Sequence, residues 1–182
     1  VPRVLAVSED EMAYVQEDLG NTLLFDYISE GRKTGVFCES EKAMLRKTIR
    51  ALARFQVKGA EDFDFNVCYP QPEFNLRSIR WDLNYFKYCF LKATGLEFQE
   101  DRLENDFERM AYILLQQKQM NAFMYRDFQS RNVMVVERGG EMVPYFIDFQ
   151  GGRRGPVYYD VASFLWQAKA NFHDELRGEL IE

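Results

Sequence analysis

A predicted β-hairpin with polar residues at its open end constrains the fold more than any other feature of this sequence. Residues 133–136 and 142–147 are rich in β-branched, apolar and aromatic side chains, and an Arg-Gly-Gly turn at 138–140 separates them. Asn132 directly precedes the first strand, and Asp148 directly follows the second. Because a hairpin brings its two ends together, we expect Asn132 and Asp148 to be neighbours.

A further aspartate, Asp127, lies five positions before Asn132 and completes a set of residues suited to phosphoryl transfer. The transferred group needs little covalent help, so a protein supplies positioning, metal ions that neutralise charge and a carboxylate that orients the attacking hydroxyl. Magnesium ions prefer oxygen ligands and keep several waters, so one or two carboxylates and an amide oxygen are sufficient. We therefore predict Asp127 as the catalytic base, and Asn132 and Asp148 as ligands of Mg²⁺.

Aspartate and asparagine are also common beside turns for structural reasons, because their side chains hydrogen-bond to nearby backbone groups. Two further matches favour the catalytic interpretation. Arg126 precedes Asp127, as in the Arg-Asp…Asn part of the kinase catalytic loop. Phe149 follows Asp148, as in the kinase Asp-Phe-Gly signature. The layout as a whole is that of a kinase active site.

Residues 126–132 (Arg-Asp-Phe-Gln-Ser-Arg-Asn) and 147–152 (Ile-Asp-Phe-Gln-Gly-Gly) resemble the aminoglycoside phosphotransferase and choline kinase superfamily. They are more similar to its bacterial branch of anomeric N-acetylmuramate and N-acetylglucosamine kinases, which residues 155–163 also fit. The resemblance implies an α+β, protein-kinase-like fold, mainly the helical C-terminal lobe with a catalytic β-hairpin, with the N-terminal lobe largely missing. It also implies ATP as phosphate donor, Mg²⁺ as cofactor and a small-molecule hydroxyl as acceptor.

The same resemblance implies a domain division and a nucleotide site. Residues 1–20 would be the end of the N-terminal lobe and the hinge, and residues 21–182 the catalytic lobe, so we expect a fragment of a longer protein. The backbone around Glu17 and Leu19 would contact ATP, with Gln16 at the entrance of the pocket. A plain acidic turn is the alternative for this segment.

Other residues near the predicted loop also receive roles. By resemblance, Asp160 would support the catalytic loop. Arg131 lies inside that loop, beside the predicted base and metal ligand, and is therefore a further catalytic candidate. The sequence departs from its relatives at two positions: Tyr125 stands where many of them have histidine, and Gln150 stands where protein kinases have glycine.

Apolar residues at helical spacing predict three helices between the hinge and the loop. The first would begin at Ser40 and end at Gly59, and the second would begin at Ser78 and end at Gly95. The third is an amphipathic helix around residues 103–114. Two short strands are predicted before them, at residues 4–7 and 12–16.

The second predicted helix carries an aromatic segment from residue 81 to 90 that is a candidate for sugar binding. Asp82, Asn84 and Tyr85 would supply hydrogen-bonding groups for sugar hydroxyls. Arg153 would attract a substrate carboxylate or stabilise phosphate charge. Core packing is the alternative for the aromatic segment, and a solvated loop position is the alternative for Arg153.

The composition favours a globular domain over a nucleic-acid-binding or membrane-spanning protein. The chain has 182 residues, 47% of them hydrophobic, which is enough for one globular domain with a substantial core. Its formal net charge of -6 disfavours nucleic acid as a partner, and its apolar runs are too short to span a membrane. We therefore expect a cytoplasmic protein. The single histidine, His173, excludes a multi-histidine metal site and a histidine-dependent triad.

Together these features predict an ATP- and Mg²⁺-dependent phosphotransferase. Its acceptor would be a hydroxyl of a small molecule, in the first place an amino sugar or an N-acetyl sugar. Two alternatives remain open from the sequence: a kinase for an aminoglycoside or choline, and a non-catalytic kinase-like module that binds a ligand or a partner protein.

Overall fold

The structure is a computed structural model that describes residues 1–116, 121–149 and 151–182. Its strands pair two by two, in the order β1 with β2, β3 with β6 and β4 with β5. The strands are β1 (Val4–Val7), β2 (Tyr14–Gln16), β3 (Asn121–Met124), β4 (Val133–Arg138), β5 (Glu141–Phe146) and β6 (Arg153–Pro156). The helices are α1 (Leu24–Tyr27), α2 (Ser29–Thr34), α3 (Glu39–Lys58), α4 (Leu76–Tyr85), α5 (Glu100–Gln116), α6 (Val157–Leu165) and α7 (Asp174–Ile181).

The predicted hairpin is confirmed as β4 and β5. The strands are antiparallel and in register from Val133 opposite Phe146 to Arg138 opposite Glu141. The two turn residues are glycines with φ of 60° and 82°, values that match the tight hairpin turns whose twist suits the flanking strands. At the open end the Ile147 N–H donates to the Asn132 carbonyl at 3.0 Å. Asn132 and the residue after Ile147, Asp148, are therefore neighbours.

The antiparallel pair of β3 and β6 was not predicted. Asn121 pairs with Pro156 and Met124 pairs with Arg153, so β6 lies beside the strand that leads into the predicted catalytic loop. The Arg154 backbone also bonds the loop before α4, donating from its N–H to the Pro72 carbonyl at 2.9 Å. The Arg-Arg-Gly-Pro sequence of β6 has low strand propensity, so its extended conformation follows from its partners.

Helix α3 supplies the centre of the core. Its Leu45 and Leu52 are fully buried and belong to the same apolar cluster as Tyr125 and Phe128 of the predicted catalytic loop. The predicted start at Ser40 was wrong, since the helix begins at Glu39 with Cys38 as N-cap. The physical reason lies in the first turn, where the Glu41 carboxylate accepts the Cys38 N–H at 2.9 Å.

The predicted start of the second helix at Ser78 was also wrong. Asn75 is the N-cap of α4, and its side-chain oxygen accepts the Ser78 N–H at 3.2 Å. After Tyr85 the chain continues through a π-helical segment, Phe86–Leu91, and a 3₁₀ turn, Lys92–Thr94. Gly95, in the left-handed conformation with φ of 71°, then ends the helical stretch as predicted.

The third predicted helix is confirmed as α5, although its apolar face is only partly covered. Ala111 is its buried residue, and Met110 is 50% exposed. Trp81 on the neighbouring α4 is 72% exposed. Within the described ranges, none of the helices has the combined length and apolar character needed to cross a membrane.

Candidate active site

The loop that joins β3 to β4 carries the candidate base in an uncommon backbone conformation. Arg126 and Asp127 have φ of 61° and 49°, and Asp148 at the far side of the hairpin has φ of 69°. Residues other than glycine rarely adopt positive φ, and such conformations persist only where the surroundings enforce them. The residues that hold the loop come from α3, from α6 and from the segment just after α6.

Asp160 on α6 provides the first restraint on the loop. Its side chain is fully buried, and its two oxygens accept the N–H groups of Tyr125 at 2.7 Å and Arg126 at 2.9 Å. Gln56 on α3 donates a third hydrogen bond to the same carboxylate at 2.8 Å. Burial raises the pKa of Asp160, and the three hydrogen bonds oppose that rise. The carboxylate therefore fixes the two residues that precede Asp127.

Gln167, just after α6, restrains the other end of the loop. Its side-chain oxygen accepts both the N–H of Ser130 at 3.0 Å and the Ser130 hydroxyl at 2.6 Å. Its amide nitrogen donates to the Phe164 carbonyl at 2.7 Å, which holds the glutamine itself in place. Phe128, between the two restraints, is fully buried and packs against Phe164 with ring centroids 5.3 Å apart. The loop is thus fixed on both sides of Asp127.

The Asp127 carboxylate lies in a network of amide donors. Gln129 donates to one of its oxygens at 2.9 Å. The Asn132 side-chain nitrogen donates to the Asp127 carbonyl at 2.9 Å and approaches its second carboxylate oxygen at 3.3 Å. Asn132 is thereby oriented with its amide nitrogen towards Asp127, so its amide oxygen is the atom that can act as a ligand.

Tyr125 links the loop to the far side of the hairpin. Its hydroxyl donates to the Ile147 carbonyl at 2.5 Å, immediately before Asp148. Burial raises the pKa of this phenol, and the negative charges of Asp148, Asp160 and Asp127 raise it further. The phenol is therefore a neutral hydrogen-bond donor at physiological pH, at the position where the kinase catalytic-loop pattern has histidine. Gln150, the other departure from the kinase pattern, lies outside the described residues.

The donor set at the open end of the hairpin fits a magnesium ion that shares its coordination with phosphate. Asp148 offers a carboxylate and Asn132 an amide oxygen, and both are hard oxygen donors. No group of three or more His, Cys, Asp or Glu residues able to hold a metal ion occurs in the described ranges. Two protein ligands suit the magnesium sites of kinases, where substrate phosphates and water complete the shell.

The sequence pattern of the phosphotransferase enzyme family matches residues 1–182. The chain belongs to this family. It is 30% identical over 186 aligned residues to an N-acetylmuramate/N-acetylglucosamine kinase of Neisseria meningitidis serogroup B, an alignment that covers 100% of the chain and 50% of the relative. A kinase of the same name from Pseudomonas aeruginosa is 27% identical over 164 residues, covering 88% of the chain and 43% of the relative. The chain therefore spans about half the length of these curated relatives.

A solved member of the aminoglycoside phosphotransferases shares the fold of this phosphotransferase-family chain. The crystal structure of aminoglycoside-3'-phosphotransferase of type VIII superposes with a TM-score of 0.50 and 17% sequence identity. The superposition covers 100% of the chain and 64% of that protein. The predicted family and the predicted kinase-like α+β fold are thus confirmed.

Of the predicted nucleotide residues, Glu17 and Leu19 contact the hairpin of this phosphotransferase-family chain. Gln16 ends β2, and the Glu17 carboxylate forms an ion pair with Arg138 of β4. Leu19 is buried and belongs to an apolar cluster with Met134 and Val136 of β4. Glu17 and Leu19 of the predicted hinge therefore lie against the strand that begins directly after Asn132, one of the metal-ligand candidates.

The predicted substrate residues do not form one group. The Asp82 carboxylate accepts hydrogen bonds from the Arg126 guanidinium at 3.2 Å and from the Tyr159 hydroxyl at 3.0 Å. Asp82 and Arg153 line the same cleft. Asn84 instead lines a small separate cavity with Glu104 and Glu108 of α5. Tyr85 is 66% exposed. Asp82 and Arg153 therefore lie near Arg126 of the predicted catalytic loop, and Asn84 belongs to the side of α4 that faces α5.

Arg131 lies in the same cavity as the candidate base. This cavity has a volume of about 360 Å³, and Asp127, Gln129, Arg131 and Lys169 are among its lining residues. The Arg131 guanidinium lies 4.7 Å from the centre of the Phe25 ring, an arrangement that holds the cation in place. Sequence reasoning identified Asp127 and Arg131 but gave no role to Gln129, which was matched only as part of the loop motif, or to Lys169, which belongs to no motif.

Replacing Asp160 with alanine should lower the free energy of unfolding by about 3 kcal/mol, because the N–H groups of Tyr125 and Arg126 and the Gln56 amide lose a buried acceptor. Urea unfolding followed by circular dichroism measures the effect. Asp106→Ala, at an exposed position of α5, is the matched control. Equal stability of the Asp160 and Asp106 variants would contradict the supporting role.

Replacing Tyr125 with phenylalanine should lower the free energy of unfolding by about 1 kcal/mol, since the Ile147 carbonyl loses its phenol partner. Because Ile147 adjoins Asp148, Mg²⁺-dependent nucleotide binding should weaken as well. Tyr158→Phe, at a residue 46% exposed, is the control. An unchanged nucleotide affinity in the destabilised Tyr125 variant would show that the phenol does not position Asp148.

Proposed function

We propose that the protein containing this chain is an ATP- and Mg²⁺-dependent phosphotransferase that phosphorylates a hydroxyl of an amino sugar or N-acetyl sugar. The observation that carries the proposal is the Asp127 carboxylate, held by Gln129 and Asn132 and exposed to a cavity of about 360 Å³. The neighbouring Asp148 and Asn132 provide oxygen ligands at the open end of the hairpin. These three residues supply the positioning that phosphoryl transfer requires.

The hinge and the hairpin would bind the nucleotide. Leu19, Met134 and Val136 form an apolar cluster next to the hinge backbone, which suits the flat face of an adenine ring. The same β4 strand begins directly after Asn132. A nucleotide whose base lies on this cluster would extend its phosphates along the hairpin towards Asn132 and Asp148. Bound Mg²⁺ would neutralise the negative charge on those phosphates.

Asp127 would accept the proton of the acceptor hydroxyl and orient that oxygen for attack. The carboxylate has one oxygen bonded by Gln129 at 2.9 Å and the other approached by Asn132 at 3.3 Å. These amide donors keep the carboxylate in one orientation and leave lone pairs on both oxygens for the substrate. Arg131, in the same cavity, would stabilise negative charge on the transferred group.

The acceptor class is proposed from the two kinases of similar sequence, whose names give N-acetylmuramate and N-acetylglucosamine as substrates. The lining of the cavity beside Asp127 is compatible with a polyhydroxylated ring, because Gln129, Gln167 and Lys169 supply polar groups around Phe25. The predicted cytoplasmic location and the sugar as partner remain part of this proposal.

A phosphate-transfer screen with Mg·ATP tests the proposal directly. The acceptor panel would contain N-acetylmuramate, N-acetylglucosamine, an aminoglycoside and choline, with phosphorus NMR to identify the product. We expect transfer to an N-acetyl sugar. Transfer only to an aminoglycoside or choline would overturn the proposed sugar acceptor, while the proposed phosphotransferase reaction would stand. Absence of transfer to every acceptor, together with absence of Mg·ATP binding, would favour a non-catalytic kinase-like module instead.

A further inference from the structure

A cleft of about 370 Å³ lies between α4 and β6, next to the catalytic loop but lined by other residues than the cavity that contains Asp127. Three arginines line it, Arg77 from α4, Arg126 from the loop and Arg153 from β6. We call this feature the arginine cleft. Trp81 and Asp82 complete the part of its wall that α4 provides.

Arg153 is the most unusual residue of the arginine cleft. It is only 4% exposed, and its Nε donates to the Gly151 carbonyl at 3.2 Å. Across the described parts of the chain, no carboxylate lies within 4.0 Å of its guanidinium. Burial lowers its pKa and the positive charge of Arg126 lowers it further, while the more distant carboxylate of Asp82 opposes this shift only in part. A buried guanidinium without a paired anion is costly, so this arrangement favours an anionic ligand in the cleft.

The other charged residues of the cleft do not neutralise the Arg153 guanidinium. Asp82 is the carboxylate that lines it, and its oxygens are bonded by Arg126 at 3.2 Å and the Tyr159 hydroxyl at 3.0 Å. Arg77 is exposed and has no ion pair among the residues that the structure describes. Three guanidinium groups therefore share one carboxylate, and the cleft carries an excess of positive charge.

The cleft lies close to the proposed base and apart from the proposed nucleotide site, so its position suits the acceptor rather than the nucleotide. Arg126 immediately precedes Asp127, so the cleft begins one residue from the proposed base. The hinge cluster around Leu19 lines neither this cleft nor the neighbouring cavity. At the rim, Trp81 is 72% exposed and offers a wide apolar face of the kind that amphipathic ligands cover.

We propose that the arginine cleft binds a carboxylate of the acceptor, so that the enzyme prefers acidic N-acetyl sugars over neutral ones. This inference rests on the proposed function, since it assumes a sugar acceptor. The chemistry is that of guanidinium and carboxylate, whose planar groups pair through two parallel hydrogen bonds. Arg153 would provide the buried anchor and Arg77 a second cation at the entrance.

Equilibrium binding of two sugars tests the inference without requiring turnover. N-acetylmuramate carries a carboxylate and N-acetylglucosamine lacks it, so the ratio of their dissociation constants reports the carboxylate contact. Arg153→Gln should weaken N-acetylmuramate binding by roughly 10- to 100-fold, the range for one lost charge-assisted contact. Arg77→Gln, at an exposed position, should weaken it by roughly 3- to 10-fold. Neither change should alter N-acetylglucosamine binding.

Arg80→Gln is the matched control, because Arg80 is an exposed arginine on the same helix that lies outside the cleft and pairs with Glu108. Circular dichroism would verify folding of the buried Arg153 variant, and the exposed Arg77 variant keeps the test valid if that protein unfolds. Equal binding of both sugars by the unchanged protein would overturn the inference. Equal loss of both sugars in the Arg77 variant would do so as well.

The outcomes separate this inference from the proposed function. Phosphate transfer to N-acetyl sugars without any carboxylate preference in binding would overturn the carboxylate site alone. Selective binding of N-acetylmuramate that depends on Arg77, without phosphate transfer to any acceptor, would support the site and count against the proposed reaction.

Discussion

Replacing Asp127 with asparagine should lower turnover by roughly 10²- to 10⁴-fold, the usual contribution of one general base. Asparagine has nearly the same size and can still accept the Gln129 hydrogen bond, but it cannot take a proton from the acceptor hydroxyl. Because the metal-ligand candidates are untouched, Mg·ATP affinity should remain close to that of the unchanged protein. Steady-state kinetics and calorimetric titration with Mg·ATP measure the two quantities.

Asp106→Asn on α5 is the control for the Asp127 variant, since it makes the same chemical change at an exposed residue far along the chain from the loop. Turnover of the control should be unchanged. An Asp127→Asn protein that retained full turnover would remove Asp127 from the role of base. A variant that lost Mg·ATP binding as well would indicate that Asp127 acts on the nucleotide.

Replacing Asp148 should chiefly damage nucleotide binding in the presence of Mg²⁺. Losing one charge-assisted contact costs about 1.5–3 kcal/mol, or roughly a 10- to 100-fold weaker Mg·ATP affinity. Two variants separate the loss of the metal ligand from the strain on the backbone. Asp148→Ala removes the ligand and also strains the backbone, because alanine is disfavoured at the φ of 69° found there. Asp148→Asn removes the charge but tolerates that conformation.

Titrations of ATP at several Mg²⁺ concentrations distinguish the metal contribution from general damage. Both Asp148 variants should lose the increase in ATP affinity that Mg²⁺ provides to the unchanged protein, and alanine should also lower the free energy of unfolding. Normal Mg·ATP affinity in Asp148→Asn would refute the assignment of Asp148 as a metal ligand.

The hairpin could be predicted because its signals are local. Two glycines in sequence select the turn, and runs of β-branched, apolar and aromatic residues on each side set the strands, so Asn132 and Asp148 were placed together correctly. The family was likewise predictable, because its motifs are short and continuous. Helix starts depended on which of several polar residues forms the cap, and Cys38 and Asn75 replaced the serines that the sequence favoured.

The restraints on the loop were harder to predict because they join residues far apart in the sequence. Gln56 and Asp160 lie 104 positions apart, and their hydrogen bond has no local signature. Gln167 was missed for the same reason, since it acts on Ser130 from the end of α6. Asp160 itself was assigned only through family resemblance. Asp82 and Asn84 illustrate a further limit, because residues two positions apart on one helix point to different sides of it and meet different neighbours.

The pairing of β6 with β3 fixes the position of Arg153 and also its distance from Asp127. Arg153 lies opposite Met124, and Met124 is three residues before Asp127, so the strand pair sets the distance between Arg153 in the arginine cleft and the proposed base. An acceptor whose carboxylate binds Arg153 can react only if the distance between its carboxylate and its hydroxyl matches the distance from Arg153 to Asp127. Acidic sugars whose carboxylate and hydroxyl are too close together would occupy the cleft without reaching Asp127. Such compounds should behave as competitive inhibitors, which makes the strand pair a basis for inhibitor design.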